Sequence, residues 1–497
     1  MKRISLLIAA FCVSASLSAA DRDSTSTAGW NFDLRTSVRA AAGTWDYLPF
    51  YARTGEEGVL PLTSGGLLQL GATVDYTSKS GWFFKAEGDF AGSLSAVKPY
   101  SPQLASACIK RLYVSGGWKM LHMDLGIAPR QRELGDLSIT GGNVIWSGNA
   151  PNMPGINLWS DWIYFEKGHW VGIRGNYAHY HMFDKRIVMG TMVHNKSLAL
   201  KFALGRNVDF MLGLDHWAQW GGTSATYGKF NYSFKDYIRI VLGMSGGSGA
   251  LQTDQLNALG NHLGREFVRF VWRNPVMTLT YQYDKPFEDG SGMRLQNYPD
   301  GVRSLHIALN KRDGLITDLM YEFANTTWQS GRRHDRPATE EEMEKQDPND
   351  FWYGKVIIGG CDGYFNNSVY GGWTHYGRTI GCPLFLPAPP DENGVCKSVL
   401  STRFMAHHIG IKGNIYIPYT LKLTFSRYIG NYNNNDKDFF YDGPYNLALA
   451  LDLNFDRFMG KLPLTLDMGL YADIGTVYKP SFGASLKFGF RKAFKKM

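Results

Sequence analysis

YNLALALDLNFD, residues 445–456, alternates large apolar side chains with small or polar ones. Leu447 and Leu449 lie on one face of this stretch, and Ala448 lies on the other. Strict two-residue alternation is the pattern of a β-strand with one apolar face. The same pattern recurs in LALKFAL (198–204), YTLKLTFS (419–426), LTLDMGLY (464–471) and SLKFGF (485–490). The chain is therefore predicted to be all-β.

Alternation by itself fits a soluble β-sandwich as well as a membrane barrel. The length of the segments favours the barrel, because a tilted strand needs about 9–11 residues to cross a bilayer. About 18 candidate strands fit between Trp30 and Phe490, at about 26 residues per strand and connection. Aromatic residues near strand ends are interpreted as the interface girdles of such a barrel: Trp159, Trp162, Tyr164, Tyr428, Tyr432, Tyr441 and Tyr445.

Composition agrees with a large exported β protein. Aromatic residues make up 14% of the 497 residues, glycines number 56, and charged residues make up only 19%. These values exclude a disordered chain and make a coiled coil or helical bundle unlikely by composition. The formal net charge of +8 is small and scattered, so no nucleic-acid partner is predicted. The uniform character of the segments predicts one barrel over 21–497 rather than several domains.

The N-terminus has the pattern of a signal peptide over residues 1–20. Lys2 and Arg3 form a basic start, an apolar stretch follows, and Ala20 ends a run of small residues. Export to an oxidising compartment makes a disulfide between Cys382 and Cys396 plausible, since the two cysteines bracket a Pro-rich segment. A zinc cluster is the alternative for the cysteines, but no C-x-x-C spacing supports it.

Three stretches interrupt the strand rhythm, while 205–207 and 311–314 have tight-turn chemistry. Residues 98–107 are predicted to be a loop or short helix. Residues 249–263 are predicted to be one helix, because leucines recur there at near-helical spacing. Residues 329–400 are predicted to be a long, aromatic-rich and ordered loop. The helix and this loop are expected to plug or cap the lumen.

Motifs for catalysis or metal binding are weak. Gly243-Met244-Ser245-Gly246-Gly247 matches G-x-S-x-G, but no α/β pattern surrounds it to hold a triad. His179 and His181 share a strand face without a carboxylate to complete a metal site. Calcium binding by the acidic run at 340–344 is a weaker alternative to a solvated loop face. We therefore predict no enzyme activity, no cofactor and no metal.

Two segments carry aromatic, amide and guanidinium groups, which suit carbohydrate binding because rings stack on sugars and polar groups bond hydroxyls. The first, residues 134–156, reads LGDLSITGGNVIWSGNAPNMPGI, and the second, residues 364–381, reads YFNNSVYGGWTHYGRTIG. Both resemble conserved stretches of the Wzi-type capsule assembly family of outer-membrane proteins. Pro151-Asn152 stands where that family's pattern has Arg-Pro.

The resemblance implies an 18-stranded outer-membrane barrel of a Gram-negative bacterium, with some helical content. It also implies a surface lectin that binds and helps assemble or retain capsular or exported polysaccharide. Outer-membrane lipid and the barrel-assembly machinery are the other expected partners. The predicted carbohydrate site consists of stacking rings, hydroxyl-bonding groups and a guanidinium for an acidic sugar: Trp146, Asn149, Trp373, His375, Tyr376 and Arg378.

Two other functions remain open from the residues alone. A sugar-conducting porin would require an open lumen and would show steady conductance in a planar bilayer. A lipase-like outer-membrane enzyme would depend on Ser245 and would react with a serine-directed phosphonate.

Overall fold

The computed structural model describes residues 29–496 except 46, 96–106, 166–167, 231, 248, 252–253, 256–257, 332–335, 349–352, 357–359 and 431–442. In this described part, eighteen antiparallel strands form a closed barrel. Each strand pairs with its neighbours in sequence, and β1 (Gly29–Gly43) pairs with β18 (Ser481–Lys496) to close the sheet. The predicted signal segment 1–20 and the insertion at 98–106 lie outside the described residues.

The other strands follow in chain order. β6 consists of two short pieces, and both pair with β7. The bounds are β2 Gly65–Thr77, β3 Trp82–Ser95, β4 Ala107–Trp118, β5 Leu121–Ile127, β6 Gly155–Ser160 with Ile163–Tyr164, β7 Val171–His181, β8 Met192–Ala203, β9 Val208–Trp220, β10 Asn261–Arg273, β11 Met277–Phe287, β12 Gly301–Leu309, β13 Gly314–Asn325, β14 Arg403–Asn414, β15 Pro418–Gly430, β16 Tyr445–Asn454 and β17 Leu464–Gly475.

The two faces of the wall differ as the alternation predicts. Leu198 on β8 lies directly opposite Leu214 on β9, and its side chain is 52% exposed on the outside of the barrel. Ala199, the next residue, is buried on the inside. Large apolar side chains cover the exterior, which suits contact with lipid, while polar groups such as Glu322 face the lumen. The predicted transmembrane barrel is confirmed.

Connections at the two rims differ in length. One rim has short turns, including the connections 204–207 and 310–313, where tight turns were predicted at 205–207 and 311–314. The opposite rim carries the long connections, such as 221–260 between β9 and β10 and 326–402 between β13 and β14. Outer-membrane barrels place short turns in the periplasm and long loops outside the cell. We therefore name the two rims periplasmic and extracellular.

Short helical elements lie in the connections. They are α1 Phe50–Arg53, α2 Phe234–Leu242, α3 Gly290–Met293, α4 Glu340–Met343 and the 3-10 turns Glu56–Gly58 and Asp456–Met459. Two-residue or three-residue strands occur at Val188–Met189, Thr223–Ser224, Gly228–Lys229, Arg336–Pro337, Lys355–Val356, Thr374–His375, Arg378–Thr379, Leu386–Pro387 and Val399–Ser401. Among the described residues, no helix has the length and apolar character needed to cross a membrane.

Two long connections turn into the lumen and fill it. We call residues 128–154, between β5 and β6, the first plug segment, and residues 360–402, before β14, the second plug segment. The largest hydrophobic core of the described residues lies inside the barrel between them, and it includes Ile145, Trp373 and Phe385. The prediction that the long loop 329–400 plugs the lumen is consistent with this arrangement.

Within the predicted helix over 249–263, the described residues Asp254 and Gln255 are helical, but the helix does not extend to residue 263. Strand β10 already begins at Asn261, and the long helix of this connection is the earlier α2. Ser233 and Asp236 form a capping box at the start of α2, and Gly243 ends the helix in the left-handed conformation. These local caps place the helix before the leucine-rich stretch, because they satisfy the free backbone groups at both helix ends.

The girdle interpretation also needs correction. The Tyr428 side chain is 1% exposed and packs in the core within the barrel. The Trp159 indole points into the lumen, where its Nε1 donates to Asp124. A position near a strand end does not by itself show which face an aromatic side chain takes. Successive residues of a strand point alternately to lipid and to lumen, so a change of one position changes the face. Tyr432 and Tyr441 lie outside the described residues.

Candidate functional site

The first plug segment is anchored to the inner wall by hydrogen bonds from its main chain. The Ile139 amide and the Ser138 hydroxyl both donate to the Glu322 carboxylate on β13, at 2.7 Å each. Two strands away along the wall, the Val144 amide donates to Asp284 on β11 at 2.8 Å. Acidic side chains on the wall thus satisfy backbone groups that would otherwise be buried without partners.

An arginine–carboxylate network reinforces this anchoring. Glu133, at the start of the first plug segment, bonds Arg265 at 2.8 Å and also bonds Arg269. Arg265 in turn reaches Asp284 at 3.2 Å. The neighbouring guanidinium groups hold the pKa of the Glu133 carboxyl well below its usual range, although burial of the carboxyl opposes them. Glu133 is therefore ionised and pairs the plug with the wall.

The two plug segments are hydrogen-bonded to each other. The Asn149 side chain donates to the Thr379 carbonyl at 3.0 Å, and the Cys382 amide donates to the Val144 carbonyl at 2.9 Å. Gly381 lies at this junction, where a Cβ atom would stand 2.3 Å from the Val144 oxygen. The sequence motifs that drew attention separately thus meet in three dimensions as one interface.

The structure brings the predicted site residues Trp146, Asn149 and Trp373 together but buries them. Trp373 is 0% exposed in the plug core, and Trp146 stacks on Trp217 of β9 with ring centroids 4.8 Å apart. Asn149, although largely buried, touches the second cavity described below. In this conformation the two tryptophan rings pack against protein, which leaves no ring face for a sugar.

The remaining predicted residues also serve the plug. The Arg378 guanidinium donates to the carbonyls of Arg53 and Leu60 at 2.6 Å each, and burial lowers its pKa to about 10. His375 donates from Nδ1 to the Pro151 carbonyl at 2.9 Å, and burial lowers its pKa as well. Tyr376 is half-buried against the His375 ring. Arg378 thus tethers the connection between β1 and β2 to the second plug segment.

The predicted disulfide between Cys382 and Cys396 is wrong, since both thiols are free. Cys382 is buried in the plug core beside Phe385, and burial raises the pKa of its thiol to about 12. The Cys396 thiol instead bonds the carbonyls of Ala388 and Ser398. The Pro-rich segment is held by packing and main-chain hydrogen bonds rather than by a covalent bridge.

A cleft of about 390 Å³ separates the first plug segment from strands β3–β8. We call it the tryptophan cleft, because Trp159 and Trp162 line it, both of them partly exposed. Trp159 stacks on His122 with centroids 3.9 Å apart, and its indole nitrogen donates to Asp124 at 2.7 Å. The guanidinium of Arg174 lies 4.9 Å from the Trp162 ring. Both rings are thereby held in fixed orientations.

Polar groups surround these two rings. Hydrogen-bonding side chains along the cleft are Tyr113, Ser115, Asp124, Arg130, Glu133, Asn143, Asn157, Asp161, Arg174, Asn176 and Ser197. The Asn176 amide bridges Asn157 at 3.3 Å and Asn195 at 2.6 Å, which fixes the direction of its donors. Flat apolar rings beside fixed amides, carboxylates and guanidinium groups match the mixed surface of a sugar.

Sequence reasoning missed this cleft because its residues are scattered over six strands. One signal was present: Asn157 and Trp159 occupy alternate positions of β6, and Asn176 occupies the matching face of β7. These positions can be identified as lumen-facing only when the inward face of each strand is known. Without that knowledge, Trp159 and Trp162 were interpreted as interface-girdle residues.

A second cavity, of about 640 Å³, lies between the other side of the plug and strands β14–β18. Its charged lining is mainly basic: Arg39, Arg132, Arg312, Lys412, Lys422 and Lys487, against Glu56, Asp136, Asp452 and Asp467. Tyr51 and Tyr471 add aromatic surface. We call it the basic cavity, and its lining reaches residues beside the short turns, such as Asn414 and Pro418.

The other candidate motifs do not assemble into sites. Gly243 of the G-x-S-x-G match is the C-cap of α2, so Ser245 follows a helix and not a strand. Among the residues that the structure describes, no three His, Cys, Asp or Glu side chains converge in a way that could hold a metal ion.

Comparisons with known proteins support the barrel fold. No family model and no curated protein matches the sequence. The chain is similar in structure to Wzi of Escherichia coli, described as a carbohydrate-binding β-barrel involved in group 1 capsule assembly, with a TM-score of 0.52, 13% identity and coverage of 93% of this chain and 84% of that one. OccAB4 of Acinetobacter baumannii (TM-score 0.46, 10% identity, 95% and 100% coverage) and OpdK of Pseudomonas aeruginosa (0.47, 7%, 94% and 99%) are also similar.

At these identities the likeness establishes the fold alone. The closed wall with its apolar exterior and the fold shared with the outer-membrane barrel Wzi agree on the class of protein. The chain is therefore an 18-stranded β-barrel of the Gram-negative outer membrane.

Proposed function

We propose that this protein is an outer-membrane lectin of the Wzi type, which binds capsular or exported polysaccharide and helps to assemble or retain it. The observation that carries the proposal is the tryptophan cleft, where two oriented, partly exposed indoles stand among fixed polar groups. The likeness in fold to a carbohydrate-binding barrel supports the same function.

The binding mode follows from the groups in the cleft. Trp159 and Trp162 stack on the apolar faces of two sugar units, and the amides of Asn157 and Asn176 bond hydroxyls. Arg130 and Arg174 offer charge-assisted bonds to acidic sugars. No bond is made or broken, so the protein acts as a binding module and not as an enzyme.

The residues first expected at the site have a supporting part in this proposal. Trp146 lies beneath Arg130, whose guanidinium stands 5.6 Å from the Trp146 ring and 4.6 Å from that of Trp217. Arg130 also donates to Asn195 at 2.9 Å. The plug therefore positions a cleft residue, and Trp373, His375 and Arg378 stabilise the plug.

The filled lumen disfavours the porin alternative. The first plug segment bonds opposite parts of the wall, since Ile139 donates to Glu322 on β13 and the Asn152 side-chain amide donates to the Lys110 carbonyl on β4 at 3.4 Å. In a porin, these contacts would have to break to give an open lumen. Single-channel recording of the purified protein tests this directly, and steady conductance of porin size would favour transport over binding.

The direct test is binding of the detergent-folded protein to the producing cell's own surface polysaccharide, measured by calorimetry with an unrelated glycan as control. We expect saturable binding, weakened about tenfold by Trp162→Ala, since one stacking contact contributes about 1.4 kcal/mol. Trp118→Ala is the matched control, because Trp118 is 43% exposed on the barrel exterior. Equal affinity of both variants, with folding verified by heat-modifiable gel mobility, would remove the cleft from the proposal.

A further inference from the structure

Helix α2 lies against the outside of the barrel. Directly paired residues in an antiparallel sheet share a face, and His194 on β8 is paired with His179 and Ala218. Leu198, four residues further along β8 on the same face, is exposed among the lipid-facing side chains. The row containing Ala218 is therefore exterior, and the buried Ile240 of α2 packs on Ala218. The connection 221–260 thus carries α2 back over the wall.

Several contacts hold the helix there. The Tyr237 hydroxyl bonds His179 Nε2 at 2.6 Å and also bonds the Tyr177 hydroxyl. The Lys196 ammonium donates to the Val241 carbonyl at the C-terminal end of α2. Tyr177 and Lys196 are paired across the sheet, one row nearer the periplasmic rim than His179 and His194. The helix therefore lies beside the extracellular edge of the lipid-facing band.

Helical geometry, at about 100° per residue, divides α2 into three sectors. Tyr237 and Ile240 form the sector that faces the wall. About a third of a turn away, Phe234, Ile238 and Leu242 are 78%, 39% and 62% exposed, an apolar stripe at intervals of four residues. Next to the stripe, on its side away from the wall, the polar sector contains Lys235, Asp236 and Arg239. A helix that contacts a wall, lipid and water needs these three sectors.

We propose that α2 is a membrane-interface helix, seated in the corner between the barrel wall and the outer leaflet, whose stripe of Phe234, Ile238 and Leu242 inserts between lipid acyl chains. The stripe adjoins the lipid-facing band, because Lys196, which bonds the Val241 carbonyl, lies in the same row of the sheet as the exposed Tyr177. This continuity supports lipid acyl chains as the groups that cover the stripe. The basic residues Lys235 and Arg239 on the adjoining sector would meet anionic headgroups. This inference does not depend on the lectin proposal.

Photo-crosslinking in vesicles of phospholipid and lipopolysaccharide tests the inference. Benzoylphenylalanine replaces one residue at a time in the full chain, at 238 or 242 in the stripe and at 239 in the polar sector. A replacement at Leu198, in the lipid-facing band, is the positive control. After irradiation, mass spectrometry identifies lipid adducts, and heat-modifiable mobility verifies that each variant is folded.

We expect lipid adducts at 238 and 242 in a yield similar to that at 198, and about a tenth of that yield or less at 239. Adducts at 198 without adducts at 238 and 242 would overturn the proposal. Crosslinked dimers of the protein at 238 or 242 would overturn it as well, because they would show that a second copy covers the stripe. Failure of lectin binding would leave this result unaffected.

Discussion

Strand β16 and the second plug segment are both rich in apolar side chains, but they use them in different ways. On β16, Leu447 and Leu449 face outward, while Asn446 and Ala448 are buried on the lumen side. In the second plug segment, Phe365 and Phe385 pack ring to ring with centroids 4.2 Å apart, inside a lumen with polar walls. The wall exposes its apolar groups to lipid, and the plug buries them within itself.

This difference separates two sources of stability. The wall is held by a continuous ladder of backbone hydrogen bonds, which depends little on any one side chain. The plug has few regular ladders, so it depends on particular contacts such as those of Glu133, Asn149 and Arg378. Single substitutions should therefore loosen the plug while the barrel remains closed. Two experiments test this expectation, and a third tests a titrating carboxyl within the plug.

The largest effect is expected from Glu133→Ala. The change leaves Arg269 and Arg174 beside Arg265 without their shared carboxylate, and breaking a largely buried ion pair costs about 3–5 kcal/mol. We expect the plug to loosen and ion conductance to appear in planar bilayers, with unchanged heat-modifiable mobility.

The control for this variant is Asp136→Ala in the same plug segment. Asp136 is an exposed partner of Lys412, and such a pair contributes about 1 kcal/mol or less.

Because the pKa of Glu133 is depressed in the folded protein, its stabilising effect is present above about pH 4.3 and is lost as the pH falls further. If Glu133→Ala shows no more ion conductance than the wild type, the result would contradict the role of this network.

A smaller effect is expected from Gly381→Ala at the junction of the plug segments. The new methyl group would lie 2.3 Å from the Val144 carbonyl oxygen and 2.5 Å from the Phe365 ring, an overlap that costs about 1–3 kcal/mol. We expect faster maleimide labelling of the neighbouring Cys382, measured by peptide mass spectrometry. Gly314→Ala, whose new methyl group would lie no nearer than 3.6 Å to the closest atom, should leave Cys382 protected. Equal labelling in both variants would show that the junction tolerates the methyl group.

The smallest effect is expected from Asp362→Asn in the second plug segment. Burial, together with the nearby Asp289 and Asp300, raises the pKa of the Asp362 carboxyl to about 7. The folded protein thus favours the protonated form, so stability is lost as the pH rises from about 3.9 to 7. We expect the variant to be more stable than the wild type at pH 8, on the order of 1 kcal/mol, and indistinguishable at pH 4.

Thermal denaturation at the two pH values measures this difference. The exposed Glu344 belongs to the same connection, so Glu344→Gln serves as the control and should behave as the wild type at both values. A pH-independent change in the Asp362 variant would indicate lost packing rather than titration.

Sequence patterns predicted the wall well because each strand carries its own signal. Alternation in segments such as 198–204 reports the two faces locally, and the turns at 204–207 and 310–313 follow from local chemistry. The helix α2 could have been placed from its capping residues Ser233 and Gly243, which were overlooked in favour of leucine spacing. The plug motifs were found, but their residues were assigned to a sugar surface, although the structure buries most of them.

The amino-acid sequence by itself determined the strand count, the lipid-facing exterior and the membrane class, since these depend on periodicity within single segments. Tertiary structure decided which cysteines stay apart, which tryptophans face the lumen and where an open cleft remains. Trp159 and Trp146 have similar local surroundings in sequence, yet one lines the tryptophan cleft and the other lies under Arg130. Their difference arises from contacts between residues far apart in the chain, which no local pattern encodes.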